Sequence, residues 1–279
     1  MSKALFDHVS IRCSRLTTRA YSTSFSLGIR CLQKELRDPV YSIYGFVRFA
    51  DEIVDTFHDF DKKALLEKFK AETYQAIQEK ISLNPILNSF QKTVHQFGIE
   101  KELYDQFLRS MEMDLDKTNY DQGGIDEYIL GSAEVVGLMT LRVFCKNDTT
   151  MYQHLKPSAM KLGAAFQKIN FLRDLNADYA QLGRNYFPGV DISNLDDTTK
   201  KQIEEDIAAD FKAGYEGIKQ LPRSARFGVY VAYLYYIALF EKIKNTPSRI
   251  VLTQRIRVRN RRKISILAYS FLKHQFNLI

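Results

Sequence analysis

Two pairs of aspartates have a spacing that allows specific chemistry. Asp51 and Asp55 lie in RFADEIVD, and Asp174 and Asp178 lie about 120 residues later in NFLRDLNAD. Both segments have helical spacing, and residues four apart share one face of a helix with about 3.6 residues per turn. Two carboxylates on one face repel each other unless a positive charge lies between them. Carboxylate oxygens are hard ligands that suit Mg2+, and Mg2+ in turn suits phosphate-bearing substrates.

Each aspartate pair extends a polar stripe on an otherwise apolar helix. On an ideal helix, the residues that share these two stripes with the aspartates are Tyr41, Tyr44, Arg48, Gln167 and Asn170. One such stripe alone is more typical of a hydrogen-bonded network inside a protein. Two stripes of like charge cannot face each other without counter-cations, so together they favour the lining of a binding site.

Several other kinds of site are excluded by what the sequence lacks. No histidine has a partner at ligand spacing, and the Glu-x-x-His motif of di-iron bundles does not occur. The chain has no GxGxxG, GxxxxGK[ST] or GxSxG, which argues against a dinucleotide fold, a P-loop and a hydrolase elbow. A helical bundle with two acidic, Mg2+-binding patches around an apolar interior remains. Such a bundle suits the cleavage of a long apolar diphosphate.

The elements that must position these residues are helices. Apolar residues recur three to four positions apart over nearly the whole chain, and no strand pattern of any length occurs. The spacing predicts a helix over Lys62–Ile81 and helix ends at Gly98 and near Gly183. Small residues in the most apolar segment, such as Gly131, predict close packing there. We therefore predict an all-α fold, with residues 1–279 forming a single domain.

The net charge of +7 is concentrated in one segment. Residues 242–279 contain ten Lys or Arg and no Asp or Glu, and an apolar-rich stretch follows the basic run RIRVRNRRK. We favour a final helix that packs on the body with a solvated basic face. Peripheral contact with an anionic membrane is the second interpretation. Nucleic-acid binding is the third, and we expect no nucleic-acid partner.

The cysteines and the N-terminal sequence predict the compartment. Cys13, Cys31 and Cys145 form no CxxC motif, which suits a reducing cytoplasm rather than a disulfide framework or a zinc site. The N-terminus has no signal-peptide pattern, and no run reaches the roughly 18 apolar residues of a membrane span. We expect a cytoplasmic protein, with contact to the inner face of the membrane as the second interpretation.

Three segments together resemble a known family. VRFADEIVD, FQKINFLRDLNADYAQLGRNYFP and YSTSFSLG resemble the squalene/phytoene synthase family, and SMEMDL, YILGSAEVVGLM and the basic run are most similar to its bacterial phytoene synthase branch. The resemblance extends from about residue 15 to residue 265. It implies an isoprenoid-synthase-like helical bundle with a central apolar cavity, forming one prenyl transferase domain.

The resemblance also implies roles for individual residues. It makes Asp51, Asp55, Asp174, Asp178, Tyr128 and Tyr186 catalytic. Its Mg2+ ligands, for which Mn2+ is an alternative metal, are Asp51, Asp55, Asn170, Asp174 and Asp178. Its substrate-binding residues are Tyr21, Ser22, Thr23, Ser24, Tyr44, Arg48, Gln167, Arg173 and Tyr236. Two plainer interpretations stand beside these roles: the tyrosines fill the core, and Ser22 and Ser24 cap a helix.

The reaction that the resemblance implies is a head-to-head condensation. Two geranylgeranyl diphosphates give 15-cis-phytoene and two diphosphates through a cyclopropyl (prephytoene) diphosphate, as the first step of carotenoid biosynthesis. We expect no NADPH, because the chain has no added nicotinamide motif. One alternative is a C30 synthase that makes dehydrosqualene or squalene from farnesyl diphosphate. A head-to-tail prenyl diphosphate synthase and a non-catalytic, membrane-associated helical scaffold are the others.

The sequence departs from the family pattern at two points. Glu134 replaces a small residue that is usual in the apolar helix, and it would either form a local hydrogen bond or alter the pocket. The first acidic motif reads Asp-Glu-Ile-Val-Asp instead of Asp-Asp-x-x-Asp, which the family tolerates.

Overall fold

Helices form along nearly the whole chain, as the periodicity of the apolar residues predicts. The computed structural model describes residues 2–116 and 119–275, apart from the side chains of residues 177, 178, 180–182, 260 and 275. The helices are α1 (Lys3–Tyr21), α2 (Thr23–Arg30), α3 (Lys34–Thr56), α4 (Lys62–Glu79), α5 (Pro85–Phe97), α6 (Lys101–Asp116), α7 (Gln122–Ile129), α8 (Val135–Cys145), α9 (Thr149–Leu182), α10 (Asp197–Gln220), α11 (Arg223–Lys244), α12 (Ser248–Val251) and α13 (Asn260–Gln275). No β-strand occurs within the described ranges, so the predicted all-α class is confirmed.

The helix boundaries follow local capping chemistry. Asp61 caps α4, because its carboxylate accepts a hydrogen bond from the backbone N–H of Ala64 at 3.0 Å. Gly98 ends α5 with a φ of +59°, and Gly183 follows α9 with a φ of +64°. Glycine adopts this left-handed conformation without the steric penalty of a side chain, so both predicted helix ends are confirmed.

A π-helical turn joins α7 to α8 and brings the chain close to α6. The turn covers Leu130–Glu134. A Cβ atom on Gly131 would lie 2.6 Å from the backbone oxygen of Gln106 and 2.6 Å from Cβ of Ser110. Only a glycine allows this approach, which confirms the predicted role of the small residues in this segment.

Two groups of buried apolar residues form the core. The first lies mainly among α3, α5, α6 and α8, where the rings of Phe46 and Phe90 stack with centroids 3.9 Å apart. The second lies mainly among α9, α10 and α11, and includes Phe211 beside Phe240. The long helix α9 packs against α8 on one side and against α10 on the other. It therefore joins the two halves of the core.

The segment Gln122–Cys145 is long enough for a membrane span, and its most apolar window of 18 residues has a mean hydropathy of 1.4. Among the described residues it alone meets that test, and 61% of its most apolar window is buried inside the protein. A helix buried to this extent in a soluble core has the same composition, so length and composition here are weak evidence of a span.

Candidate active site

A cavity of about 300 Å³ lies between α2, α3, α8, α9, α10 and α11. Its apolar wall includes Ile29, Leu32, Val40, Ile43, Val47, Val136, Leu141, Phe144, Leu155, Leu162, Ile218, Leu221 and Val229. The polar side chains of Tyr44, Gln167, Asn170 and Tyr236 line the cavity as well. On α9 the lining extends from Leu155 to Asn170, which is about 22 Å of helix at 1.5 Å per residue. The central apolar cavity that we expected is present.

The first aspartate pair lies on α3, and each member has a different arginine partner. Arg48, one turn before Asp51 on the same helix, donates to Asp51 and to Glu52, and its guanidinium lies 4.3 Å from the ring centre of Tyr21. Asp55 accepts a hydrogen bond from Nη1 of Arg184 at 3.0 Å. Each carboxylate of the pair is therefore held by a cationic side chain.

The Asp51 carboxylate lies in an unfavourable environment for a negative charge. Its enclosure by the protein and the nearby charge of Asp55 raise its pKa to about 7, although Arg48 opposes the rise. The side chain keeps 34% of its exposure, so solvent screens part of this unfavourable interaction. The expected repulsion within the pair is therefore present, and an added cation would relieve it.

The second aspartate pair lies on α9. Asp174 accepts hydrogen bonds from Nε of Arg173 at 3.0 Å and from Nη2 of Arg255 at 3.3 Å. Nε of Arg255 lies 2.7 Å from Oδ1 of Asp174 and completes an ion pair. Asn170, one turn earlier, accepts a hydrogen bond from the hydroxyl of Tyr236 at 3.4 Å. The side chain of Asp178 lies outside the described part of the structure, so its predicted contacts stay a prediction.

The donor set at these two pairs fits Mg2+. Within the described residues, no three acidic, histidine or cysteine side chains come close enough together to enclose a metal ion. Mg2+ does not need such an enclosure, because it usually binds one or two carboxylates and completes its shell with water and substrate phosphate oxygens. Asp51, Asp55, Asp174 and Asn170 offer oxygen atoms of this kind.

The N-terminal segment YSTS reaches the same region. Ser22 caps α2, because its hydroxyl accepts a hydrogen bond from the backbone N–H of Phe25 at 3.2 Å. The hydroxyl of Thr23 accepts a hydrogen bond from Nζ of Lys263 at 2.9 Å, and Ser24 is half-buried in the first turn of α2. The capping interpretation is therefore confirmed for Ser22, which also lies in hydrogen-bonding contact with Tyr44.

Aromatic rings that the sequence analysis did not single out surround the polar end of the cavity. The ring centre of Phe25 lies 5.8 Å from that of Tyr44 and 5.9 Å from that of Tyr236. Phe166 stacks on Tyr236 with centroids 3.9 Å apart. The helical spacing of Phe25 and Phe166 is that of ordinary core residues, so the sequence had no signal for this arrangement.

Tyr128 and Tyr186 lie together, but both are absent from the described residues that line the cavity. Their rings stack with centroids 5.3 Å apart, and Phe171 stacks on Tyr186. The hydroxyl of Tyr128 donates to Oδ2 of Asp114 at 2.7 Å, and that of Tyr186 donates to Oδ1 at 3.4 Å. Both hydroxyls are therefore bonded within the core, and the predicted catalytic role of the two tyrosines stays a prediction.

Asp114 and Arg184 are buried residues that the sequence analysis missed. Burial raises the pKa of Asp114 to about 6, against the opposing charge of Arg184. Arg184 donates through Nη2 to the backbone oxygen of Asp114 at 2.9 Å and through Nη1 to Asp55. Arg184 thus connects the first aspartate pair to the tyrosine cluster. The only signal in the sequence was an acid on the apolar face of α6.

The basic segment contributes two cations to the site. Arg255 contacts Asp174, and Lys263 contacts Thr23, as described above. Burial, together with the charge of Arg173, lowers the pKa of Lys263. The predicted packing of a final helix on the body is confirmed, since Ile266 of α13 is buried against α11. The contacts with the site were not predicted, because a basic run reads as a solvated surface.

The family follows from a comparison over most of the chain. A family model described as squalene/phytoene synthase matches residues 18–262. The chain belongs to the squalene/phytoene synthase family. The predicted resemblance is therefore confirmed.

Individual members of the squalene/phytoene synthase family are distant in sequence. A presqualene diphosphate synthase of Rhodopseudomonas palustris is 29% identical over 174 residues, which cover 61% of this chain and 59% of that protein. Phytoene synthase 1, chloroplastic, of Zea mays is 26% identical over 263 residues, which cover 84% of this chain and 61% of that protein. The chain thus spans less than two thirds of the length of these two relatives.

Solved structures of squalene/phytoene synthase type share the fold. A dehydrosqualene synthase in complex with a ligand superposes with a TM-score of 0.84 at 21% identity, covering 96% of this chain and 98% of that one. A squalene synthase from Alicyclobacillus acidocaldarius superposes with a TM-score of 0.75 at 21% identity, covering 89% of this chain and 96% of that one. At this identity the likeness shows the fold alone.

Glu134 departs from the squalene/phytoene synthase pattern without altering the cavity wall. It lies in the π-helical turn, while its neighbour Ala133 lines the cavity. Burial raises the pKa of Glu134, and the positive charge of Lys161 and the negative charge of Asp210 act on it. Glu134 is not among the described residues that line the cavity, so an altered pocket is not supported, and the predicted local hydrogen bond stays a prediction.

Proposed function

We propose that this chain is a Mg2+-dependent prenyl transferase that joins two prenyl diphosphates head to head. We further propose that it converts two geranylgeranyl diphosphates through prephytoene diphosphate to 15-cis-phytoene, releases two diphosphates and so begins carotenoid biosynthesis. The observation that carries this proposal is an apolar cavity lined in part by α3 and α9, with polar residues at one end of its α9 wall. The two acidic pairs lie on these same two helices, one pair on each.

The polar side chains suit the release of a diphosphate. Asp51, Asp55, Asn170, Asp174 and Asp178 would hold Mg2+, or Mn2+ in its place, and the metal would neutralise the charge that develops on the leaving group. Arg48, Arg173, Arg255 and Lys263 add positive charge in the same region. Fixed cations at this position stabilise the leaving group more strongly than water does.

The apolar wall suits the carbocation that the departing diphosphate leaves behind. Water would trap such a cation, and the apolar side chains of α3, α8 and α9 would disfavour water in the cavity because they offer it no hydrogen-bond partners. The rings of Phe25, Phe166 and Tyr236 lie where the apolar wall meets the polar residues. Aromatic faces attract cations, so these rings would stabilise the positive charge without reacting with it. We propose that the final cation is quenched by proton loss, without NADPH.

The length of the cavity supports a C20 substrate. An extended chain advances about 1.25 Å per carbon–carbon bond of about 1.5 Å, so a geranylgeranyl chain measures about 19 Å and a farnesyl chain about 14 Å. The lined part of α9 measures about 22 Å from Leu155 to Asn170, and its apolar stretch from Leu155 to Phe166 measures about 17 Å, which is longer than a farnesyl chain and close to a geranylgeranyl chain. A farnesyl chain would leave the end near Leu155 unfilled.

We also propose that the protein is located in the cytoplasm. Its three cysteines are free, which supports this location.

The test identifies the substrate and the product, and it measures how far the activity depends on the second acidic pair. The purified protein is incubated with Mg2+ and either farnesyl or geranylgeranyl diphosphate, with and without NADPH, and the hydrocarbons are analysed. We expect phytoene from the C20 substrate without NADPH. Asp174→Asn should lower kcat/KM by roughly a hundredfold or more, because it removes a charge that acts in the transition state. Asp126→Asn, at an exposed carboxylate on α7, is the matched control.

Two results would overturn parts of the proposal. A C30 product from the C15 substrate, with the C20 substrate unused, would make the protein a C30 synthase. Release of no diphosphate from either substrate would remove the enzymatic assignment and leave a helical scaffold.

A further inference from the structure

Helix α13 presents apolar side chains to solvent. Ile264 is 65% exposed, Phe271 is 50% exposed and Leu272 is 57% exposed. The opposite face of the helix is buried, with Ile266 and Ser270 against α11. A surface helix of a soluble protein normally carries polar residues on its outer face. The outer face of α13 therefore departs from that pattern.

The exposed apolar residues form one stripe and are not scattered. At about 100° per residue, Ile264, Ala268, Phe271 and Leu272 fall within an arc of about 100° that points away from Ile266. Ala268 is exposed like the other three. Single exposed apolar residues are ordinary on a protein surface, whereas a continuous apolar stripe marks a place where something binds.

A group of free cations lies immediately before this stripe. Arg257, Arg259, Arg261 and Arg262 make no ion pair with any residue in the described part of the chain. Two neighbouring cations, Arg255 and Lys263, are instead directed to the candidate active site. No Asp or Glu occurs from residue 242 onward, so nothing in this segment offsets the positive charge.

We propose that α13 docks this protein onto the surface of an anionic lipid bilayer. The apolar stripe would enter the boundary between headgroups and acyl chains, and the arginines before it would contact lipid phosphates. A second copy of the chain fits this face less well, because two such faces would bring like charges together without a carboxylate to pair them.

Docking in this orientation would hold the candidate active site next to the membrane. The residue before Ile264 is Lys263, whose amine contacts Thr23 at the start of α2. The inner side of α13 thus contacts the residues around the site, while its outer face would meet the bilayer. This inference goes beyond the proposed function and does not depend on it, because bilayer binding requires no catalysis.

The test is sedimentation of the full chain with lipid vesicles. We expect binding to vesicles of phosphatidylcholine and phosphatidylglycerol at about two to one, and little binding to phosphatidylcholine alone. The double variant Ile264→Ser/Leu272→Ser should weaken binding to the anionic vesicles by about tenfold or more, because two side chains no longer bury apolar surface. Leu83→Ser, at a leucine that is 91% exposed between α4 and α5, should bind like the wild type.

The contribution of the arginines to vesicle binding is tested separately. Arg259→Gln/Arg261→Gln should weaken binding by roughly fivefold per charge removed, whereas Lys201→Gln/Lys212→Gln on α10 should have no effect. Equal binding to both kinds of vesicle would overturn the proposal, as would unchanged binding of the Ile264/Leu272 variant. A dimer that this variant converts to a monomer, with vesicle binding unaffected, would assign the stripe to a second copy and overturn it as well. A protein that binds as expected yet releases no diphosphate would refute the proposed function alone.

Discussion

At the scale of single residues, the partners of the two α3 aspartates differ in how they arise. Asp51 is paired with Arg48, which lies three positions earlier on the same helix. Asp55 is paired with Arg184, which lies 129 positions later in the chain. The first pairing follows from helix geometry, whereas the second exists only once the fold has formed.

Asp114 should make stability depend on pH. Burial raises its pKa from 3.8 to about 6, so between these values the folded protein holds a proton that the unfolded chain has released. Because the folded state binds more protons, its stability falls as the pH rises through this window. We expect the free energy of unfolding of the wild type to fall from pH 4 to pH 6 relative to that of Asp114→Asn, measured by urea unfolding at each pH with EDTA present.

Above about pH 6 the difference in free energy of unfolding between the wild type and Asp114→Asn should level off, because Asp114 is then ionised in both the folded and the unfolded state. Asp126→Asn, at an exposed position, should follow the wild type across the whole range. If this difference in free energy of unfolding stayed constant from pH 4 to pH 7, the raised pKa of Asp114 would be contradicted.

Residue pairs close in sequence could be predicted, and distant ones could not. The spacing of Asp51 with Arg48, and of Asp174 with Asn170, follows from one helical period, and both sets lie on single helices as expected. The contacts of Arg184, Arg255 and Lys263 join residues far apart in the chain. No local pattern records such contacts.

At the scale of helices, Gly131 determines how closely the π-helical turn before α8 packs against α6. A methyl group on Gly131 would lie 2.6 Å from the backbone of α6, which cannot move away as a flexible side chain could. Gly131→Ala should therefore lower the free energy of unfolding by about 1–3 kcal/mol, measured by urea unfolding.

Gly123→Ala is the matched control in α7. A methyl group there meets only a carboxylate oxygen of Asp121 at 4.0 Å. That substitution should be neutral or should stabilise by about 0.4–1 kcal/mol, because alanine restricts the unfolded chain. Equal losses in both variants would show that the close approach to α6 is not the cause.

The helices themselves were largely predictable, because apolar periodicity and capping residues are local. Gly98 and Gly183 end helices as their sequence positions indicate. The two faces of α13 were less predictable. Both faces carry apolar residues, and periodicity alone does not tell which of them packs on α11.

At the scale of the whole molecule, the far end of the cavity should select chain length. Thr140 and Phe144 of α8 line the cavity together with Leu155, at the end away from Asn170. Thr140→Phe should fill this end and lower kcat/KM for geranylgeranyl diphosphate relative to farnesyl diphosphate, measured by competition between the two substrates.

Thr140→Ser keeps the cavity open and should leave the ratio of the kcat/KM values for geranylgeranyl and farnesyl diphosphate close to that of the wild type. An unchanged ratio in Thr140→Phe would place the chain-length limit elsewhere in the wall. The sequence could predict an apolar interior but not its length, because the length depends on how α8, α9 and α11 approach one another.

The contacts of Arg255 and Lys263 have a consequence for synthesis of the protein. Arg255 follows Asp174 by 81 positions, and Lys263 follows Thr23 by 240. A nascent chain translated only as far as α11 already contains both acidic helices and most of the cavity wall. It lacks these two cations until the ribosome has released the segment after α12. The helical core can therefore form during translation, while the charge balance of the site is completed only at a late stage.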